Sequence, residues 1–249
     1  MDWRERDGIR WLEAELPGAR AAFTTRGGGT SKGDFASLNL GILTDDNPEA
    51  VRRNRARAAA ALDRDPGGVL IGRQVHGAEV LRRDAPQRPN PYAEPGDPPP
   101  EVDGQATATA DLTALVFVAD CLPIALAGER GVTMLHCGWR GLAAGIVARG
   151  AEVVGAEAAA IGPGIGPCCY EVGDQVLDAF AGLGDGVTSG RRLDLIAAAR
   201  RLLERAGVER VEAASLCTSC GHELFFSHRR DRGRTGRQGG FAWIEGANA

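Results

Sequence analysis

The feature that most constrains this chain is a set of three short apolar segments, residues 113–118, 123–127 and 132–136, separated by only a few residues each. Continuous apolar runs of this length read as strands buried on both faces. Residues 20–25 read as another strand, entering the turn Gly27-Gly28-Gly29, and residues 211–214 and 241–244 as two more. Residues 69–81 read as a strand interrupted at His76-Gly77. Asn47 can cap a helix whose first turn holds Pro48 and Glu49, running to about Leu62. A helix of small residues is expected over 141–154, and Leu195, Ala199, Leu202 and Ala206 fall at helical spacing before a stop at Gly207. Strands and helices mingle without a regular βαβ rhythm. The expected class is therefore α+β, a mixed-sheet layered α/β sandwich.

Seven of the thirteen prolines lie between Pro86 and Pro100, a density that rules out helix and central strand. The segment is expected to be exposed loop. Chemically suggestive residues lie on both sides of it, so it reads as an insertion, about 86–100, within one domain spanning 1–249.

Composition narrows the function classes. Aromatics make up only 5% of the chain, so the core is expected to be aliphatic and alanine-rich. A formal net charge of -4 argues against general nucleic-acid binding. The cations are arginines except for Lys32, a bias that matches the abundance of alanine and glycine and is informative only inside motifs. No stretch reaches the roughly 18 apolar residues of a membrane span. The opening MDWRERDGIR does not resemble a signal peptide, and six cysteines then read as reduced thiols in a cytoplasmic protein.

Two of the four histidines occupy conspicuous contexts, His76 in QVHG and His136 at the end of an apolar strand in MLHCGWRG. Cys121, in ADCLP, ends another strand between them. Strand ends opening onto loops are where side chains converge. Two imidazoles and a thiolate suit zinc, and three protein ligands leave a fourth tetrahedral position open, as in catalytic sites. The spacing alone does not separate this from two unrelated histidines and a buried thiol. Arg140, between the strand and the helix that follows it, reads either as an anion site at a helix start or as a solvated arginine in an ordinary turn, and Arg26, before a glycine turn, is open to the same two readings.

The ordered motifs FTTRGGGTSKGDFASLNLG, QVHG, ADCLPI, HCGWRGL, GPGIGPCCYEVG, CTSCGHELFFSHRRD and GRQ, from about Phe23 to Ile244, resemble those of the YfiH-like family. That family is labelled multicopper polyphenol oxidase or laccase-like in older usage and purine nucleoside phosphorylase in newer usage. The resemblance implies a zinc site on His76, Cys121 and His136. It also implies phosphorolysis of adenosine, guanosine, inosine and methylthioadenosine, together with adenosine deamination. The expected partners are purine nucleosides and phosphate, with no nucleic acid and no membrane. Arg26, Asn39 and Arg140 sit in motifs resembling the family's pocket and are candidates for substrate or phosphate contacts. Asp120 is a candidate for orienting an imidazole or for capping a strand. Two departures stand out: the proline-rich segment lengthens the interval from His76 to Cys121, and Cys137 replaces a small residue.

Other readings stay open. A copper-dependent polyphenol oxidase could use one His₂Cys copper centre, but four histidines are too few for a full multi-copper set. A structural-zinc binding module would need a fourth ligand from His222, Cys217 or Cys220. A cysteine hydrolase would use Cys121 as nucleophile with a histidine base. Cys217 and Cys220 form a CxxC that lacks a second cysteine pair and reads as structural thiols. The adjacent Cys168 and Cys169, which would bridge only under strain, read as packing residues.

Overall fold

The computed structural model describes residues 1–41, 43–94 and 98–246. Its strands, in chain order, are β1 (Asp2–Arg6), β2 (Ile9–Leu16), β3 (Ala19–Thr24), β4 (Val69–Leu70), β5 (Val80–Arg82), β6 (Gly104–Thr107) and β7 (Thr113–Val118). They continue with β8 (Leu122–Gly128), β9 (Gly131–Cys137), β10 (Ala156–Ile161), β11 (Thr188–Ser189), β12 (Arg192–Leu193), β13 (Arg210–Ala213) and β14 (Gln238–Ile244). The helices are α1 (Pro48–Ala61), α2 (Trp139–Ala143), α3 (Ile146–Val154), α4 (Asp174–Phe180) and α5 (Leu195–Arg205). None is long and apolar enough to cross a membrane.

Two mixed six-stranded sheets carry the fold, in the orders β1-β2-β3-β14-β7-β4 and β13-β10-β8-β9-β6-β5. Alternation along β7 explains how they stack. Ala114, Val116 and Val118 join β8, β9 and β10 residues such as Ala125, Met134 and Ala160 in a layer between the sheets. Leu115 faces the other way, into a cluster with Ala58, Ala59 and Leu62 around α1. Beyond the second sheet, Leu126, Leu135 and Ile161 pack against Ile146, Val147, Leu195 and Leu203 of α3 and α5. The outcome is the expected layered α+β sandwich, with alanine prominent between the sheets.

Local signals account for much of this. Asn47 accepts from the backbone N–H groups of Glu49 and Ala50, and Pro48 opens α1 as expected. Gly207, with φ +80°, follows α5 in the left-handed conformation that ends helices.

Three expectations need correction. Residues 69–81 are not one interrupted strand: β4 pairs with β7 in the first sheet and β5 with β6 in the second, and the chain between them crosses from sheet to sheet. The helix expected over 141–154 is two, α2 and α3, parted at Gly145, whose φ of +88° breaks the helical path. The proline-rich segment is loop, but it is not wholly exposed. Tyr92 is fully buried, donating its hydroxyl to Arg55 O at 2.7 Å, and Arg55 in turn donates to the carbonyls of Pro91 and Tyr92. Gln87 exchanges two hydrogen bonds with the backbone of Ile71. Its residues 95–97 lie outside the described residues.

Candidate metal centre

His76, Cys121 and His136 converge, each offering a ligand atom within 4.8 Å of the others. The topology brings them together. Cys121 stands where the chain passes from β7 in one sheet to β8 in the other, and His76 stands on the crossing from β4 to β5. His136 lies near the end of β9, opposite Pro123 of β8. The two imidazole rings meet edge to face at 4.8 Å between centroids. His76 and Asp120 both adopt positive φ, +62° and +93°, a conformation that costs energy outside glycine and here sits at the site itself.

Gly138 leaves the room the cluster needs. A Cβ at that position would lie 2.9 Å from Cys121 Sγ and 3.2 Å from His76 Cδ2. The donor set and the space around it therefore fit a metal ion of the zinc type, with one thiolate and two imidazoles.

A single buried carboxylate holds both histidines. Asp103 Oδ1 lies 2.7 Å from His136 Nδ1 and accepts the backbone N–H of His76 at 3.0 Å. Its Oδ2 accepts the N–H groups of Val75 and Gly77 at 3.1 and 2.7 Å. With Nδ1 of His136 bound to Asp103, Nε2 is left for a metal, the usual arrangement of a ligating imidazole and its carboxylate partner. Burial pushes the Asp103 carboxyl up, but hydrogen bonds from His136 and the 75–77 backbone outweigh it and hold the group below the ordinary aspartate value.

The ligands also polarise one another. Burial opposes ionisation of the Cys121 thiol, yet the His136 and His76 imidazoles bring it down to about 6. Burial likewise opposes protonation of His136, while Cys121 and Asp103 raise it to about 9. Cys121 is thus a thiolate near neutral pH, the form in which cysteine binds metal.

All three ligands line a cavity of about 720 Å³. Aromatic rings of Phe117, Trp139 and Tyr170 share its walls with the guanidinium groups of Arg140, Arg229 and Arg237. Arg140 is exposed, lies over the Trp139 ring and makes no ion pair among the described residues. Arg229 stacks on Tyr170.

The remaining sequence candidates fare unevenly. Arg140 reaches the cavity, but the helix it belongs to has only five residues, so it offers its own charge rather than a long helix dipole. Arg26 is not in the cavity lining. Its Nε and Nη1 donate to the carbonyls of Ala36 and His222, and it covers the Phe226 ring, bracing two loops. Asn39 is fully buried with its amide saturated. It donates to Thr44 Oγ1 and Asp46 Oδ2 and accepts from Gly41 N and Arg237 N. It holds Arg237 in place and has no hydrogen bond left for a substrate. Asp120 lines the cavity but orients no imidazole: its oxygens accept Thr218 Oγ1 at 2.6 Å and Arg229 N at 2.7 Å. That orienting task belongs to Asp103, which sequence reasoning missed. Arg229, Arg237 and Tyr170 were also missed as individuals, although each lies in one of the quoted motifs. Cys217 and Cys220 supply no fourth ligand here, since they gather with Cys168 and Cys169 in a separate cluster.

A family model described as multi-copper polyphenol oxidoreductase laccase matches residues 20–245. Purine nucleoside phosphorylase YlmD of Geobacillus stearothermophilus is 38% identical, with 91% of this chain and 92% of the relative covered. Purine nucleoside phosphorylase YfiH of Escherichia coli is 36% identical, with 91% and 94% covered. Among solved structures, the Bacillus licheniformis hypothetical protein YfiH superposes with a TM-score of 0.88 at 33% identity over 98% of this chain and 99% of its own. YlmD from Geobacillus stearothermophilus superposes with a TM-score of 0.87 at 37% identity, covering 98% of both chains.

Proposed function

The chain belongs to the multi-copper polyphenol oxidoreductase laccase family, and from that membership and its site we propose that it is a zinc-dependent purine nucleoside enzyme. The proposed reactions are phosphorolysis of adenosine, guanosine, inosine and methylthioadenosine, and deamination of adenosine, carried out in the cytoplasm. Relatives named purine nucleoside phosphorylase support the first of these at family level.

The observation that carries the reading is the combination in one cavity of His76, Cys121 and His136, aromatic faces and arginines outside any ion pair among the described residues. Its volume falls within the range of about 300–1,000 Å³ usual for small-molecule sites. Phe117, Trp139 and Tyr170 offer the flat apolar surfaces that a purine base stacks on. Arg140, Arg229 and Arg237 offer the planar donor forks that grip phosphate. The Asp120 carboxylate, held by Thr218 and Arg229, stands beside Cys121 and can hydrogen-bond a ribose or base donor. Zinc, where bound, supplies a Lewis acid that activates water or polarises the substrate.

Copper is the alternative metal, because a His₂Cys set also suits it. A multi-copper oxidase, however, needs more imidazoles than this chain has. His76 and His136 are committed to one site, His228 lines the same cavity, and His222 is the only other histidine.

The test pairs activity with metal content. Inosine with phosphate, and adenosine alone, are incubated with wild type, Cys121→Ala and His136→Ala, and products are separated by chromatography. Wild type is expected to hold zinc and turn over both substrates, with both variants inactive. Full turnover by zinc-free Cys121→Ala would overturn the role of the metal. A wild type inert to nucleosides but oxidising phenols with bound copper would replace the reading altogether.

A further inference from the structure

The six cysteines are free and fall into distinct surroundings. Cys121 belongs to the cavity and Cys137 is buried beside it in β9. The other four meet at one point, with all sulfurs within 4.8 Å of one another. The sheet delivers them there. β10 and β13 are parallel neighbours, with Ile161 opposite Ala213, and a further bridge pairs Gly164 with Cys217 beyond the strand ends. Two loops therefore leave the same end of the sheet side by side. One carries Cys168 and Cys169, the other Cys217 and Cys220.

The spacing of the sulfurs matches a coordination tetrahedron. Four sulfurs about 2.3 Å from a zinc ion stand about 3.8 Å from one another. Here Cys220 Sγ lies 3.5 Å from Cys168 Sγ and 3.4 Å from Cys169 Sγ, and the widest gap stays within 4.8 Å. The Gly166 N–H donates to Cys217 Sγ at 3.2 Å, the kind of backbone contact that stabilises a thiolate. Cationic side chains brace both loops: Arg192 donates to Cys168 O at 2.8 Å, and Arg230 donates to Thr218 O at 3.0 Å. Four thiolates around a divalent ion leave a net charge of -2, which Arg192, in no ion pair among the described residues, offsets in part; Arg230 is already paired with Asp231.

We propose that Cys168, Cys169, Cys217 and Cys220 form a second metal site, a closed tetrathiolate that takes one zinc ion and acts structurally. An all-sulfur tetrahedral set selects a thiophilic ion over calcium or magnesium. It leaves no position for substrate, in contrast to the His76, Cys121, His136 centre. Its effect on the cavity is positional. Tyr170, in the cavity wall, directly follows Cys169. Thr218, whose hydroxyl binds Asp120, directly follows Cys217. A metal joining the two loops fixes both residues at once.

The experiment uses the full chain, purified under reducing conditions with zinc supplied. Wild type is expected to retain about two zinc ions per chain, and Cys168→Ser/Cys220→Ser about one. Cobalt substitution then identifies which site is lost. The intense sulfur-to-cobalt charge-transfer absorption of a tetrathiolate should vanish in Cys168→Ser/Cys220→Ser and persist in Cys121→Ala. A second measurement does not depend on the double variant: Cys121→Ala, which keeps all four thiols and lacks the other zinc-binding sulfur, is loaded with zinc and titrated with a mercurial reagent. Release of a zinc ion as these four thiols react supports the site. Reaction of all four thiols without release of metal overturns it, as does a zinc-loaded Cys121→Ala that retains no metal.

Discussion

Asp103 Oδ1 lies 2.7 Å from His136 Nδ1 and also accepts the backbone N–H of His76, so one oxygen sets the positions of two candidate ligands. Asp103→Asn keeps the shape but removes the charge that faces the His136 ring. Loss of such an outer partner typically weakens metal affinity by about 10–100-fold. Competition for zinc against a chelator should show a drop in that range, with circular dichroism unchanged. Unaltered affinity would mean that Asp103 is only a loop clamp.

Gly138 offers a cleaner steric test. Its φ and ψ of -79° and 170° suit any residue, so alanine adds no backbone strain. The added methyl would meet Cys121 Sγ at 2.9 Å. Gly138→Ala should keep a melting temperature close to that of metal-free wild type while losing most of its zinc, read by metal analysis.

The Cys121 thiol, brought down to about 6, gives a pH signature. The thiolate fraction rises as pH increases through that value, so alkylation of chelator-treated protein should reach half its plateau near pH 6. An ordinary thiol would do so near its usual value of about 8.5. Peptide mass spectrometry assigns the modified residue, and added zinc should protect it.

Arg140 makes no ion pair among the described residues and faces the cavity. Arg140→Ala should keep its zinc and raise the KM for phosphate in inosine phosphorolysis by roughly tenfold or more, corresponding to a lost charge-assisted hydrogen bond of about 1.5–3 kcal/mol. An unchanged phosphate dependence would assign the anion to Arg229 or Arg237 instead.

Tyr92 anchors the proline-rich segment in the cluster around α1. Tyr92→Ala should destabilise the protein by about 3–5 kcal/mol, as for other buried aromatic truncations. Denaturant unfolding measures this, and zinc content below the transition should not change.

The legible parts of the sequence were those whose cause is local. Residues 113–136 announced three strands because burial on both faces removes polar positions, and Asn47-Pro48 announced a helix start through its own backbone chemistry. The candidate ligands His76, Cys121 and His136, which the fold brings together, were legible through motifs and strand ends. Asp103 was not, because its partners lie 27 and 33 residues away and nothing in its neighbours marks the contact. Arg26 and Asn39 sat in suggestive motifs, yet their polar atoms are consumed by backbone carbonyls and loop side chains that only the folded chain brings near. The CxxC at Cys217 lacked a visible second pair because that pair is the adjacent Cys168 and Cys169. The parallel alignment of β10 and β13 joins them, and no short-range pattern encodes it.

The passages of the chain from the first sheet to the second, between β4 and β5 and between β7 and β8, each carry a candidate ligand, while His136 rides on a strand of the second sheet. Both crossings are nevertheless fastened to that same second sheet: Leu122, next after Cys121, pairs with Cys137 beside His136, and Asp103, next before β6, accepts the His76 backbone N–H. The centre is thus riveted to one sheet at the seam where the chain arrives from the other, and the stiffness of β6, β8 and β9 keeps its three donor atoms in register.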